Sequence, residues 1–209
     1  MNRPLRIALT KGRLEKTTIE LLEKIGYNCD EVKNKGRRLI PIANNDFEVV
    51  LAKAADVITY VEHGVCDLGV VGKDTILENG SSFYELLDLG FGKCRFALAT
   101  KKDTDFYSGY NTKTIATKYP NVTRAFFDDK DMDVRIIKIE GSVELAPLVG
   151  LADGIVDIVE TGSTLKANGL EVIEWVCDIS ARLIANTASL KLRKAEIEEL
   201  QKKLEAVTK

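Results

Sequence analysis

Apolar positions along this chain alternate between two periods. Leu5-Arg6-Ile7-Ala8-Leu9 reads as a strand, Lys11-Gly12-Arg13 as a turn, and Leu14, Thr18, Leu21, Leu22 and Ile25 then recur at helical spacing up to Gly26. Phe47 to Leu51 is a second strand, and Asp56 is placed to cap a helix over Val57 to His63. Asp67-Leu68-Gly69-Val70-Val71-Gly72 has the continuous apolar character of a buried strand and leads into Lys73-Asp74. Strands alternating with helices in this way predict an α/β architecture.

The glycines around Gly90-Phe91-Gly92 loosen the chain, and Cys94 to Thr100 opens a second unit with the same alternation. Strands are predicted near Thr114 to Thr117, at Val134 to Ile139 and at Ile155 to Val159. Helices are predicted after Pro120 and over Val143 to Ala152. Ile179 to Asn186 reads as a strand returning to the first unit. The tail is a helix with an apolar stripe at Ile197, Leu200, Leu204 and Val207, and with i,i+4 charge pairs such as Glu199 and Lys203. The expected organisation is two α/β lobes, residues 1–93 with 179–209 and residues 94–178, with a ligand cleft between them.

Composition narrows the function. The 209 residues include 30 Lys+Arg and 32 Asp+Glu, a net charge of −2, so there is no bulk attraction for nucleic acid or an anionic membrane. No apolar run reaches the roughly 18 residues of a membrane span. Met1 to Thr10 lacks the apolar stretch of a secretion signal, and a soluble cytoplasmic chain is expected. Cys29, Cys66, Cys94 and Cys177 lack the close spacing of a zinc or redox pair and read as reduced core thiols. His63 is the single histidine, and its place before Gly64 suits a helix end. The chemistry therefore rests on lysine, arginine, carboxylates, hydroxyls and backbone amides.

Asp157-Ile158-Val159-Glu160-Thr161-Gly162-Ser163-Thr164-Leu165 is the most informative stretch. A buried strand runs into a Thr-Gly-Ser-Thr turn at a helix start, where exposed amides and three hydroxyls make a phosphate cradle. Asp157 and Glu160 are placed to accept hydrogen bonds from sugar hydroxyls. The plainer reading, in which Ser163 or Thr161 only caps the helix, stays open at this level. Glu140-Gly141-Ser142-Val143-Glu144 also joins a strand to a helix, with Ser142 as candidate cap; Glu144 serves either a ligand or the helix dipole. Lys11 and Arg13 stand at the carboxyl end of the first strand, the end that faces the ligand crevice in open α/β sheets. Arg37, Arg38 and Lys53 add positive charge at or near strand edges, and together these cations point to a polyanionic ligand.

Taken with Thr10 to Leu14, Tyr60 to Gly64, Asp67 to Asp74, Ile115 to Pro120, Glu140 to Pro147 and Gly150 to Asp157, the loop at Thr161 to Leu165 makes the chain resemble the ATP phosphoribosyltransferases, in their short form. The resemblance covers essentially the whole chain. It implies two lobes like those of type II periplasmic binding proteins, with the active site in the inter-lobe cleft. It also implies condensation of ATP, through adenine N1, with phosphoribosyl pyrophosphate, giving phosphoribosyl-ATP and pyrophosphate in the first step of histidine biosynthesis. Mg²⁺ is the implied cofactor. Thr161, Gly162, Ser163 and Thr164 would hold the 5′-phosphate, with Glu144, Asp157 and Glu160 toward the ribose hydroxyls. Lys11, Gly12, Arg13 and Asp74 would line the ATP side, and Arg37 and Lys53, with Lys11, would serve the departing pyrophosphate. The metal ligands are not assigned.

Where many members of the family carry arginine this chain has Lys53, so a bidentate contact becomes a point charge. The short form lacks the C-terminal regulatory domain of long-form members. It implies a separate regulatory subunit resembling histidyl-tRNA synthetase, in a hetero-octamer. Two other readings are compatible with the residues alone: a non-catalytic two-lobed protein that binds a phosphate sugar or a nucleotide, and a different phosphoribosyltransferase.

Overall fold

The structure is a computed structural model that describes residues 3–36, 42–43, 47–80 and 82–208. It divides into two compact units, Met1–Gly92 with Ser180–Lys209, and Lys93–Ile179. In chain order the first unit contains β1 (Leu5–Thr10), α1 (Arg13–Lys24), α2 (Asp30–Lys33), β2 (Ile42–Ala43), β3 (Phe47–Ala52), α3 (Ala54–Glu62), β4 (Leu68–Gly72), α4 (Lys73–Asn79) and β5 (Phe83–Asp88). The second contains β6 (Cys94–Lys101), β7 (Lys113–Thr117), α5 (Pro120–Asp128), β8 (Val134–Lys138), α6 (Leu145–Leu148), β9 (Gly154–Val159), α7 (Ser163–Ala167) and β10 (Leu170–Ile179). The chain then returns to the first unit through β11 (Ala181–Asn186), α8 (Thr187–Leu192) and α9 (Lys194–Thr208).

The first unit is built on a six-stranded sheet in the order β2-β3-β1-β4-β11-β5. β3, β1 and β4 are parallel, with Ile7 opposite both Val49 and Leu68, so their carboxyl ends lie along one edge. β1 is central, and Leu5, Ile7, Ala8 and Leu9 are buried on both faces, as a strand covered by helices requires. On one face Leu9, Leu22, Phe47 and Val70 pack with Ile197, Leu200 and Leu204 of α9. On the other, Val57, Ile58 and Val61 of α3 meet Ala8, Val71 and Ile184. Gly69 permits that approach, since a Cβ there would lie 2.8 Å from the Val61 Cγ2. α1 ends as Gly26 predicts: its φ is +94°, and the Tyr27 and Gly26 amides donate to the Leu22 and Glu23 carbonyls at 3.0 and 2.9 Å.

The second unit has a five-stranded sheet in the order β10-β6-β9-β7-β8. β9, β7 and β8 are parallel, and β6 runs antiparallel to β9. Its two faces differ in side-chain size. Phe96, Leu98, Phe106, Ile115, Val122 and Phe127 fill one side, under α5. Ala97, Ala99 and Ala116 occupy the other, with Val143, Ala146 and Leu165. The alanine face leaves open space, and α6 and α7 border it.

Several elements differ from the pattern reading. α3 starts at Ala54 with Lys53 as its N-cap, because Ala54-Ala55 extends the helix one turn earlier; Asp56 sits in the first turn and is not the cap. The helix predicted over Val143 to Ala152 is the single turn Leu145–Leu148. Pro147 cannot donate a helical bond, Gly150 has φ +76°, and Glu144, not Ser142, is the N-cap residue. β10, at ten residues the longest strand, has no clean alternation in sequence, because two register shifts break its period. β5 also escapes the pattern, and a break at Ser180 places Ile179 in β10 and Ala181–Asn186 in β11.

Candidate active site

Seven residues singled out in the second half of the sequence surround one cavity of about 310 Å³: Glu144, Asp157, Glu160, Thr161, Gly162, Ser163 and Thr164. Ala97, Ala99, Ile155, Ile158, Val159 and Leu165 complete its wall. The register explains the space. Ala97 lies directly opposite Asp157 and Ala99 opposite Ile155, so methyl groups flank the carboxylate where larger side chains would fill the volume.

At the carboxyl end of β9 the chain turns through Glu160 and Thr161 into α7. Gly162 is the N-cap, with φ +73°, a left-handed conformation that glycine adopts without strain. The Thr161 and Ser163 hydroxyls lie 2.9 Å apart, and the Ser163 amide donates to the Thr161 Oγ1 at 3.3 Å. Thr161, Ser163 and Thr164 are exposed. Gly162 offers no side chain to cap α7, and among the first-turn amides it is Ser163's that the Thr161 hydroxyl accepts.

Asp157 is half-buried, and its Oδ1 accepts the Ile158 amide at 2.8 Å. Burial raises its pKa above the ordinary carboxylate value; the nearby charge of Glu144 pushes the same way, opposed by that hydrogen bond and by Lys118. An acid held in this way is ready to share a proton or accept a hydrogen bond from a neutral hydroxyl. Glu144 is half-buried at the start of α6, and Glu160 is exposed.

The residues singled out in the first half gather at the strand ends of the first unit. Lys53, Lys11 and Asp74 follow β3, β1 and β4, three adjacent parallel strands. The Lys11 amide donates to the Ala52 carbonyl at 2.9 Å, tying two of these ends together. Gly12 is the N-cap of α1 with φ +104°, and its amide donates to Glu15 Oε2 at 3.3 Å. Arg13 opens α1; Lys11, Arg13 and Lys53 are exposed, and Asp74 is half-buried. Arg37 and Arg38 lie outside the described residues.

Lys35 is a cation that the sequence reading passed over. It pairs with the buried Glu15, and burial together with the charge of Lys11 lowers its pKa. Twenty positions separate Lys35 from Glu15, and no local pattern announces the pair. His63 takes the expected place as C-cap of α3, its Nδ1 2.9 Å from the Thr59 carbonyl oxygen.

An α/β protein of two units, each built on a mixed sheet of this kind, has the two-lobed fold seen in periplasmic binding proteins. The sulphonate binding protein SsuA of Escherichia coli shares this fold at a TM-score of 0.62 and 10% identity, over 100% of this chain and 73% of its own.

The ATP phosphoribosyltransferase (HisG) family pattern matches residues 53–206, and the chain belongs to that family. The ATP phosphoribosyltransferase of Clostridium kluyveri is 60% identical over 204 residues, 97% of this chain and 93% of the relative. That of Clostridium acetobutylicum is 58% identical over 97% and 95%. A chain from the Thermotoga maritima HisG:HisZ complex aligns with a TM-score of 0.84 and 35% identity, over 98% of both chains. The chain is accordingly an ATP phosphoribosyltransferase, an enzyme of the first step of histidine biosynthesis. A non-catalytic binding role on the same fold is not favoured.

Proposed function

We propose that the cavity beside β9 receives the phosphoribosyl group and that the strand ends of the first unit serve ATP and pyrophosphate. The observation that carries this reading is the convergence of Glu144, Asp157 and the whole Glu160 to Thr164 turn on one cavity. The 5′-phosphate fits the amides and hydroxyls of Thr161 to Thr164. Asp157 and Glu144 take the ribose hydroxyls as hydrogen-bond acceptors, with Glu160 at the rim. Lys11, Gly12, Arg13 and Asp74 face ATP, while Lys53 and Arg37 serve the pyrophosphate.

In the reaction the adenine N1 lone pair forms a bond to C1 of the ribose as the C1–O bond breaks, and pyrophosphate leaves with the electron pair. N1 needs no base to become a nucleophile, which is consistent with a site without histidine. Positive charge develops on the sugar and negative charge on the leaving group, so the protein's task is alignment and electrostatic stabilisation. Positive charge developing on a sugar beside Asp157 stabilises its carboxylate as an anion.

Magnesium fits this arrangement. Among the described residues no three His, Cys, Asp or Glu side chains form a metal cage. Mg²⁺ is commonly held by one or two carboxylates together with substrate phosphates. Asp157 and Glu144 are the pair whose mutual repulsion a cation would relieve. When bound, the ion neutralises the pyrophosphate charge.

A cytoplasmic enzyme in complex with a HisZ-like regulatory subunit completes the reading, with a hetero-octamer as the assembly. Its support is the Thermotoga maritima neighbour, which belongs to a HisG:HisZ complex. The deciding experiment is mass spectrometry of the chain with ATP, phosphoribosyl pyrophosphate, Mg²⁺ and pyrophosphatase. A product with the mass of phosphoribosyl-ATP is expected. Its absence both alone and with a co-expressed partner would overturn the reading.

A further inference from the structure

Among the described residues that line the cavity, Glu144, Asp157 and Glu160 are the charged ones. The donor proposed for it is strongly anionic: a single phosphate monoester carries about −1.5 to −2 at neutral pH. Hydroxyls and amides are neutral, so a lysine at the rim adds, beside Mg²⁺, to the positive charge that meets the donor's phosphates.

The Thr117-Lys118-Tyr119-Pro120 segment supplies one. Thr117 ends β7 and lies opposite Val156, the residue before Asp157. The Thr117 hydroxyl is buried, donates to the Val156 carbonyl at 2.7 Å and accepts the Tyr119 amide at 2.9 Å. The Tyr119 ring meets Phe96 edge-on at 4.8 Å, its carbonyl accepts the Thr123 hydroxyl at 2.8 Å, and Pro120 opens α5. Each neighbour of Lys118 is thus committed to packing or to the turn, and Lys118 alone is exposed.

β7 lies between β9 and β8, so Lys118 sits at the middle of three parallel carboxyl ends. Its charge reaches Asp157 after β9's midpoint and Glu140 beyond β8. Glu140 is already paired with Lys138 at 2.8 Å. Because Thr117 pairs with Val156 in parallel register, Lys118 comes level with Asp157, which lines the cavity.

We infer that Lys118 binds a phosphate of the phosphoribosyl donor, reaching it from the end of β7 beside Asp157. This rests on the reading of the cavity as the phosphoribosyl site. The phosphate concerned is either the 5′-phosphate or the pyrophosphate, and competition experiments separate the two.

The test is steady-state kinetics of the full chain, with its partner subunit if activity requires it, on Lys118→Ala, Lys118→Arg and a control, Ser163→Asp. The control puts a like charge into the exposed turn, where it should exclude a phosphate without disturbing the core. Lys118→Ala should raise the KM for phosphoribosyl pyrophosphate about tenfold or more, the effect of one charge-assisted hydrogen bond. The KM for ATP and the melting temperature should stay unchanged, and Lys118→Arg should recover most of the loss. Weaker inhibition by ribose 5-phosphate assigns Lys118 to the 5′ end; weaker inhibition by pyrophosphate assigns it to the leaving group. A donor KM unchanged in Lys118→Ala but raised in Ser163→Asp would overturn the role of Lys118 and leave the cavity standing. A donor KM unchanged in Ser163→Asp would overturn the cavity reading, and the inference with it.

Discussion

Arg3 grips Asp67 with both terminal guanidinium nitrogens, at 2.6 and 3.0 Å, across 64 positions of sequence. Asp67 is buried in front of β4 and also accepts the Arg6 amide at 2.9 Å, the Ser189 hydroxyl at 2.7 Å and Arg193 at 3.2 Å. One carboxylate therefore joins the start of β1, the entry to β4 and the helices after β11. Burial alone would raise its pKa, but these donors outweigh it and hold the group below the usual carboxylate value.

Removing that carboxylate should be costly. Asp67→Ala leaves a cluster of arginines without their common partner, and about 3–5 kcal/mol of stability should be lost. The pH dependence follows from the direction of the shift. A depressed folded-state pKa stabilises fully above the ordinary value of 3.8, and the benefit disappears as pH falls through the lower folded value. The stability gap between the native chain and Asp67→Asn should therefore shrink on acidification below 3.8. Thermal denaturation across that window checks it; a gap that does not narrow would exclude a charge-based role.

Asp157 is predicted to behave in the opposite sense. Its raised pKa means that the folded chain binds more protons than the unfolded one above 3.8. Stability then falls as pH rises through that window and stays reduced at neutral pH. Asp157→Asn, which keeps an acceptor for the Ile158 amide, should gain about 1 kcal/mol at neutral pH while losing transferase activity. Denaturant unfolding beside an activity assay reads both effects, and equal or lower stability in the variant would refute the argument.

Lys53 separates folding from function. It is exposed, and no side-chain hydrogen bond from it caps α3. Lys53→Ala should leave stability within about 0.5 kcal/mol. If Lys53 and Arg37 stabilise the departing pyrophosphate, alanine at either should cut turnover about a hundredfold, with a smaller effect on substrate affinity. Turnover at the native level would remove that residue from the catalytic set.

The cysteines should divide by environment. Burial pushes the Cys29 thiol up to about 11 and the Cys66 thiol up to about 12, and both side chains are almost fully enclosed. Neither should react with an aromatic disulfide reagent at neutral pH until the chain unfolds. Counting the thiols titrated before and after denaturant tests this; rapid labelling of Cys66 in the folded chain would contradict its position under α3.

Much of the site could be read in one dimension because its parts are local. The Glu160 to Thr164 turn joins a buried strand to a helix, and glycine and hydroxyl residues there carry their own conformational preference. The same holds for Lys11-Gly12-Arg13 after β1. The helix expected from Val143 was overextended, since Pro147 and Gly150 confine it to one turn. β10 was missed because its two register shifts erase the alternation by which a strand is recognised.

Most strands and helices, the glycine turns and the residues at strand ends were determined by the sequence itself, because each depends on side-chain pattern over a few neighbours. Tertiary structure alone decided what meets across distance. It set Ala97 opposite Asp157 so that a cavity exists, brought Glu144 close enough to oppose the ionisation of Asp157, and placed Lys118 at the end of the neighbouring strand. It also buried Asp67 among arginines from both ends of the chain. Such relationships arise from strand register and chain crossing, and the energy of a charge depends on the groups brought around it by folding.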